Sequence, residues 1–267
     1  MGRVYKVKNF QEYRMGEEEL YPDIREFLIN QKNCFPEYCN FELYLSELSR
    51  RIDVFGISKE NGGEKVIYLS EGKKELLKNK NFAWVIGEVL PLQRYGDYVY
   101  VFGAGGDFED EDKAYVEECK RLGVGILVFD ERGKIDELLE PVRNDIESSV
   151  RRKMLLKIFL RDTSTPIADL IFQGVYEYGK LKSDTALPCA KFIDVYNCLF
   201  KNEACKEAVR SITGYHTLKD IDVRRAFQRE YGGTPYVKIE RMGSRLDDFI
   251  CITEEGMKIV REPILLD

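Results

Sequence analysis

Apolar residues along "GEEELYPDIREFLIN" (16–30) fall at Leu20, Ile24, Phe27 and Leu28, the three- and four-residue spacing of one helical face, and Glu17 lies on that face. The pattern then changes. "CNFELYL" (39–45), "RRIDVFGI" (50–57) and "KVIYLSEG" (65–72) are short runs rich in β-branched and aromatic residues, the last two separated by the turn sequence "KENGGE" (59–64). They predict three adjacent strands. A helix is expected over "NFAWVIGEVLPLQRY" (81–95), kinked or divided at Pro91 because proline has no N–H and clashes with the preceding turn. A strand at 97–103, a helix at 110–123 and a strand at 124–133 follow. A meander leading into helix-linked strands gives an α/β fold with a mixed sheet, since hairpin strands pair antiparallel and crossover-linked strands pair parallel. That sheet is expected to close near residue 145, with Pro141 in the transition segment.

From there to about residue 233 the pattern is mainly helical. "TLKDIDVRRAFQREYG" (217–232) reads as a helix, and strands are predicted at 236–241 and 248–252 around the turn "MGSRLD". A last helix has Thr253 as its cap and Glu254 and Glu255 in its first turn. Helix, β-hairpin, helix is the ending of a winged helix-turn-helix, although other α+β domains share it. The expected division is therefore a sheet-containing domain at 1–145 and a helical, winged-helix-like domain at 146–267.

Composition narrows the class. With 267 residues the chain can bury two cores. It contains no run of about 18 apolar residues, and "MGRVYKVKNF" lacks the apolar core of a signal peptide, so the expectation is a cytoplasmic protein without membrane attachment. Seven cysteines without a CxxC pair indicate reduced thiols and no zinc knuckle, and Cys189, Cys198, Cys205 and Cys251 are expected to be core thiols. A net charge of -6 argues against a nucleic-acid coat protein. The charge is uneven, however: 21 basic against 29 acidic residues in 1–145, and 20 against 18 in 146–267.

Candidate chemistry gathers in the first half. Asp53 lies among Ile52, Val54 and Phe55, where a carboxylate is costly unless a cation or hydrogen-bond donors meet it. Glu71 and Lys73 stand two residues apart at the end of the next strand, and strict alternation would put both on one face. Two carboxylates on neighbouring strands can hold a hard divalent cation such as Mg²⁺ through oxygen, and a lysine beside them can assist an attacking water or stabilise charge on a phosphate oxygen. The plainer alternative is a solvated strand end, with Asp53 paired to Arg50 or Arg51.

Asp53 followed by "EGK" (71–73) resembles the PD-(D/E)XK nuclease superfamily, the restriction-endonuclease-like fold, over roughly residues 16–143. The chain differs from the usual pattern in having no proline before Asp53 and a polar Ser70 in an apolar position. The resemblance implies Asp53 and Glu71 as Mg²⁺ ligands, with Mn²⁺ as a substitute, and Lys73 assisting the attacking water. It also implies Glu17 on the first helix supporting metal or water, with Glu18 and Glu19 as neighbours, and Gln93 as a supporting or phosphate contact. For Glu17 a first-turn acid favoured by the helix dipole is the open alternative.

Other motifs carry less. "GAGGDF" (103–108) lacks the Lys-Ser/Thr of a P-loop, "DFEDED" (107–112) lacks EF-hand spacing, and His216 is the single histidine. Arg224, Arg225 and Arg229, with Lys238, Arg241 and Arg245, would line a recognition helix and wing; a solvated charged face is the alternative. The function expected is a Mg²⁺-dependent endonuclease hydrolysing DNA phosphodiester bonds, for which a homodimer would suit two-strand cutting. The alternatives are a nuclease-fold DNA-binding regulatory or defence-associated protein with weak or lost catalysis, and a protein-interaction scaffold.

Overall fold

A computed structural model describes residues 17–60, 62–76, 79–104, 110–129, 134–182, 186–200, 203–215 and 217–266, excepting the side chains of residues 75, 79, 80, 110–112, 204, 205 and 245. The "DFEDED" side chains, most of "GAGGDF", and His216 therefore lie outside the described residues. Two compact units divide between Arg151 and Arg152.

The first unit opens with a 3₁₀ turn, Glu17–Leu20, that runs into α1, Tyr21–Lys32. Strands β1 (Asn40–Leu45), β2 (Arg50–Lys59) and β3 (Lys65–Glu75) follow as an antiparallel meander. Helix α2 (Asn79–Val89) crosses over to β4 (Tyr98–Ala104), and α3 (Asp110–Leu122) to β5 (Gly125–Phe129). Both crossovers give parallel pairs, which need such a connection to bring the chain back to the same end of the sheet. Pro91 divides the predicted 81–95 helix: α2 stops at Val89, and a 3₁₀ turn over Leu90–Arg94 carries the proline in its first positions. A sixth strand, β6 (Ile135–Leu139), pairs antiparallel with β5 and was not anticipated, because "IDELL" is a short, half-buried edge strand interrupted by acids. The sheet order is β1-β2-β3-β4-β5-β6, a mixed sheet flanked by helices. Alternate residues Val54, Val66, Tyr68, Tyr100, Phe102, Leu127 and Phe129 pack with Leu20, Tyr21, Ile24 and Leu28 of the α1 segment. Asp97, fully buried before β4, accepts from the Ile67 N–H at 2.8 Å and pairs with Arg151 at 2.7 Å, which fixes the start of β4 against β3.

Helix α4 (Ser148–Arg161) crosses the division between the two units, and the second unit goes on with α5 (Pro166–Lys182), β7 (Cys189–Lys191), α6 (Phe192–Phe200), α7 (Glu203–Thr213), α8 (Asp220–Tyr231), β8 (Val237–Met242), β9 (Ser244–Ile252) and the single turn α9 (Glu254–Met257). Its antiparallel sheet has the order β7-β9-β8. Gly243, at φ +82°, makes the hairpin turn tighter than predicted. Thr253 caps α9 by accepting from the Gly256 N–H. The expectation of reduced thiols fails at one pair. Cys189 and Cys251 stand opposite each other in the β7–β9 register and are disulfide-bonded, 62 residues apart in sequence, a distance that no short-spacing rule registers. Cys34, Cys39 and Cys119 are buried thiols, Cys198 is exposed, and the Cys205 side chain lies outside the described residues. Among the described residues no helix is long and apolar enough to cross a membrane.

Glu177 of α5 fastens the end of the chain. Its buried carboxylate accepts from the backbone N–H groups of Ile264, Leu265 and Leu266 at 2.7–3.0 Å, and from Gln173 Nε2 at 2.9 Å. Removing it strands several donors away from water. Glu177→Ala is therefore expected to destabilise the protein by roughly 3 kcal/mol, read as a lowered urea midpoint, whereas Glu177→Gln, which keeps one acceptor oxygen, should cost less.

Candidate active site

Close packing at the β3–β4 junction shapes the site. A Cβ on Gly72 would meet the Phe102 ring at 2.4 Å, and one on Gly103 would meet the Lys73 carbonyl oxygen at 2.1 Å. Glycine at these two positions lets β4 approach β3, and the ladder slips between Gly72 and Glu75. Glu71 and Lys73 take different ion-pair partners there, and both feel the charges of Asp53 and Glu88.

Asp53 is half-buried and held at both oxygens. The Tyr21 hydroxyl donates to Oδ1 at 2.8 Å, and the Gly72 N–H donates to Oδ2 at 2.7 Å. Arg50 does not pair with Asp53, as the plainer reading had it; its Nη2 lies 2.7 Å from Oε1 of Glu71, and its Nη1 donates to the Glu88 carbonyl at 2.7 Å. Glu71 itself is buried. Lys73 lies 3.0 Å from Glu88 and 3.7 Å from Glu17. Four carboxylates (Glu17, Asp53, Glu71, Glu88) thus meet two cations (Arg50, Lys73).

Protonation follows from this crowding. Burial, and then the charge of Asp53, push Glu71 up to about 8 against the opposing pull of Arg50. Burial also raises Asp53 and Glu17, only partly countered by Lys73 and, at Asp53, by the Gly72 and Tyr21 bonds. Burial alone would lower Lys73, but its bond to Glu88 and the charges of Glu17, Glu88 and Asp53 outweigh that and raise it, so the ammonium stays charged. A charged lysine cannot serve as a general base near neutral pH; it can stabilise negative charge.

Of the residues singled out in the sequence, Asp53, Glu71, Lys73 and Glu17 come together. Glu18 and Glu19 are exposed. Gln93 does not join them through its amide, whose Nε2 donates to the Leu122 carbonyl at the end of α3 at 2.7 Å; it ties the 3₁₀ turn to that helix. Three participants were missed: Tyr21, Arg50 as partner of Glu71, and Glu88. Glu88 adjoins the buried stripe Phe82, Val85 and Val89 of α2, and an acid beside an apolar helical stripe was the available signal.

Asp53 and Glu71 are the residues whose oxygens could be offered to a hard divalent cation. They are two oxygen donors near enough for the charge of Asp53 to raise Glu71, a repulsion that a cation would relieve. Among the described residues no three ligand-type side chains already converge on one point.

The second unit corrects one assignment. Arg224 is buried, not displayed on a recognition face: Nη2 lies 2.5 Å from Asp248 Oδ2, and Nη1 donates to Gln228 at 2.9 Å. Its side chain points inward because α8 must pack on the sheet, and Asp248 on β9 supplies the counter-charge. Arg225, Arg229, Lys238 and Arg241 are exposed, and the Arg245 side chain lies outside the described residues. Arg225 and Arg229, with Ile167, Tyr215, Val223 and Ala226, line a shallow pocket beside α8.

Neither a protein-family model nor a curated protein sequence matches the chain. Among solved structures, that of Pyrococcus furiosus SfsA in complex with Ca²⁺ matches at 18% identity and a TM-score of 0.24, covering 46% of this chain and 61% of that one. The chain thus spans less than two thirds of that protein, and so slight a likeness bears on neither fold nor chemistry.

The buried Glu71 makes the unliganded protein sensitive to alkali. Folded Glu71 keeps its proton to about pH 8, whereas an ordinary glutamate releases it near 4.5. The stability this gives is complete below about pH 4.5 and is lost as pH rises through about 8. Glu71→Gln should flatten that dependence by on the order of 3 kcal/mol between pH 5 and 8.5, measured by urea unfolding in the presence of chelator.

Proposed function

We propose that the first unit is a metal-dependent endonuclease domain of the PD-(D/E)XK type, hydrolysing DNA phosphodiester bonds. What supports this most is the meeting of Asp53, in the first half of β2, with Glu71 and Lys73, in the second half of the adjacent β3. In this reading Asp53 and Glu71 hold Mg²⁺ or Mn²⁺, which when bound supplies Lewis-acid stabilisation of phosphoryl charge. Lys73 brings its ammonium to the scissile phosphate, and Glu17 and Glu88 hold it there. Tyr21 and the Gly72 N–H fix the carboxylate of Asp53.

The second unit fits a winged-helix-like DNA-binding role, with α8 as recognition helix and the β8–β9 hairpin as wing. The order of elements and the β7-β9-β8 sheet support it, as do the exposed Arg225, Arg229, Lys238 and Arg241. On this view the chain is a cytoplasmic DNA-acting protein, and a homodimer would serve two-strand cutting.

A second reading, a nuclease-fold DNA-binding regulator with weak or lost catalysis, is favoured by one observation: Arg50 already occupies Glu71. Cleavage of labelled duplex, single-stranded and branched DNA with Mg²⁺ or Mn²⁺ separates the two. The nuclease reading expects cutting by the wild type and a loss of roughly 10³-fold or more in Asp53→Ala and Lys73→Ala, both folded. DNA binding without cutting by any form would establish the regulator.

The arginines of α8 should divide by partner. Arg225→Ala and Arg229→Ala are each expected to weaken DNA binding at low salt and lower the salt slope by about 1. Arg224→Ala should instead destabilise the protein by roughly 3 kcal/mol or more, since it leaves Asp248 buried and unpaired. Fluorescence anisotropy across a salt series and urea unfolding test the two expectations.

A further inference from the structure

We propose that Arg50 is a resident counter-ion that holds Glu71 in place of a divalent cation and must leave it before Glu71 can take part in metal binding. The inference rests on the endonuclease reading and concerns how its site is controlled.

Three observations carry it. The guanidinium lies 2.7 Å from Glu71 Oε1, so a dication joining that carboxylate would sit beside a fixed positive charge within a few ångströms, where the repulsion is poorly screened. Asp53 differs: the Tyr21 hydroxyl and the Gly72 N–H are neutral donors, and a carboxylate with about four lone-pair positions can keep both and still bind a cation. Of the two carboxylates, Glu71 is the one whose direct partner is a cation. Arg50 also has somewhere to remain, because its other nitrogen already bonds the Glu88 carbonyl in the last turn of α2, where the helix dipole favours a cation. Its side chain is 22% exposed against 4% for Glu71, so the arginine can swing toward solvent while the carboxylate cannot.

Arg50 accordingly acts as a positioning residue that sets the metal concentration at which the site fills. Mn²⁺ binding to metal-free protein, followed by electron paramagnetic resonance, reads this without any turnover. Arg50→Met, which keeps the apolar stem and removes the charge, is expected to bind Mn²⁺ roughly tenfold or more tightly than the wild type, and adding Asp53→Asn should abolish that gain. Arg50→Gln retains a donor for the Glu88 carbonyl and is held to the same expectation if the methionine variant does not fold. Affinity unchanged or weakened in the Arg50 variants, with Asp53→Asn still abolishing binding, overturns the proposal and leaves the metal reading standing. Absence of Mn²⁺ binding in every form overturns both.

Discussion

A carboxylate set where water hardly reaches it governs the first unit. Glu71 lies in the second half of the central strand β3, buried, where its ionised form needs a positive partner. Arg50, the first residue of β2, meets that need and in doing so bonds the Glu88 carbonyl. The Glu88 side chain in turn faces Lys73, and Lys73 faces Glu17. Strand β2, helix α2, strand β3 and the 3₁₀ turn before α1 are thus joined by three ion pairs and one hydrogen bond to a backbone carbonyl. Only Glu71 is buried in this chain of contacts, so it is the member least able to lose its partner.

The backbone beneath this chain is set by two close approaches. Phe102 fills the space beside Gly72, and Gly103 leaves room for the Lys73 carbonyl. The resulting slip in the β3–β4 ladder accompanies a Gly72 N–H that donates to Asp53 and a Lys73 side chain aimed at α2. An irregularity in the sheet therefore helps create the polar geometry. Core packing and site chemistry are here the same constraint seen from two sides.

Much of the fold was legible in the sequence because period and breakers are local properties. The apolar, strand-forming run of "RRIDVFGISK", the Pro91 break and the Thr253 cap each lie within a few residues of what they determine. Asp53, Glu71 and Lys73 were legible for the same reason, as charged residues within or at the end of apolar runs. Partnership was not. The Arg50–Glu71 pair, the Cys189–Cys251 bond and the Gln93–Leu122 tie depend on register and crossover, which bring together residues 21, 62 and 29 positions apart. Strand β6 was hidden differently, since an edge strand half in water need not be apolar.

Arg224 and Arg50 show why a basic residue cannot be assigned from its type alone. Both face a buried carboxylate, yet the pairs differ in exchangeability. Arg224 and Asp248 are both nearly inaccessible, with side-chain exposures of 8% and 3%, and neither can find another partner without opening the packing of α8 against β9. Arg50 has 22% exposure, and its neighbour Lys73 has 23%. Solvent at those two cations gives them somewhere to go, so their ion pairs can be traded for contacts with a ligand while the fold stays intact.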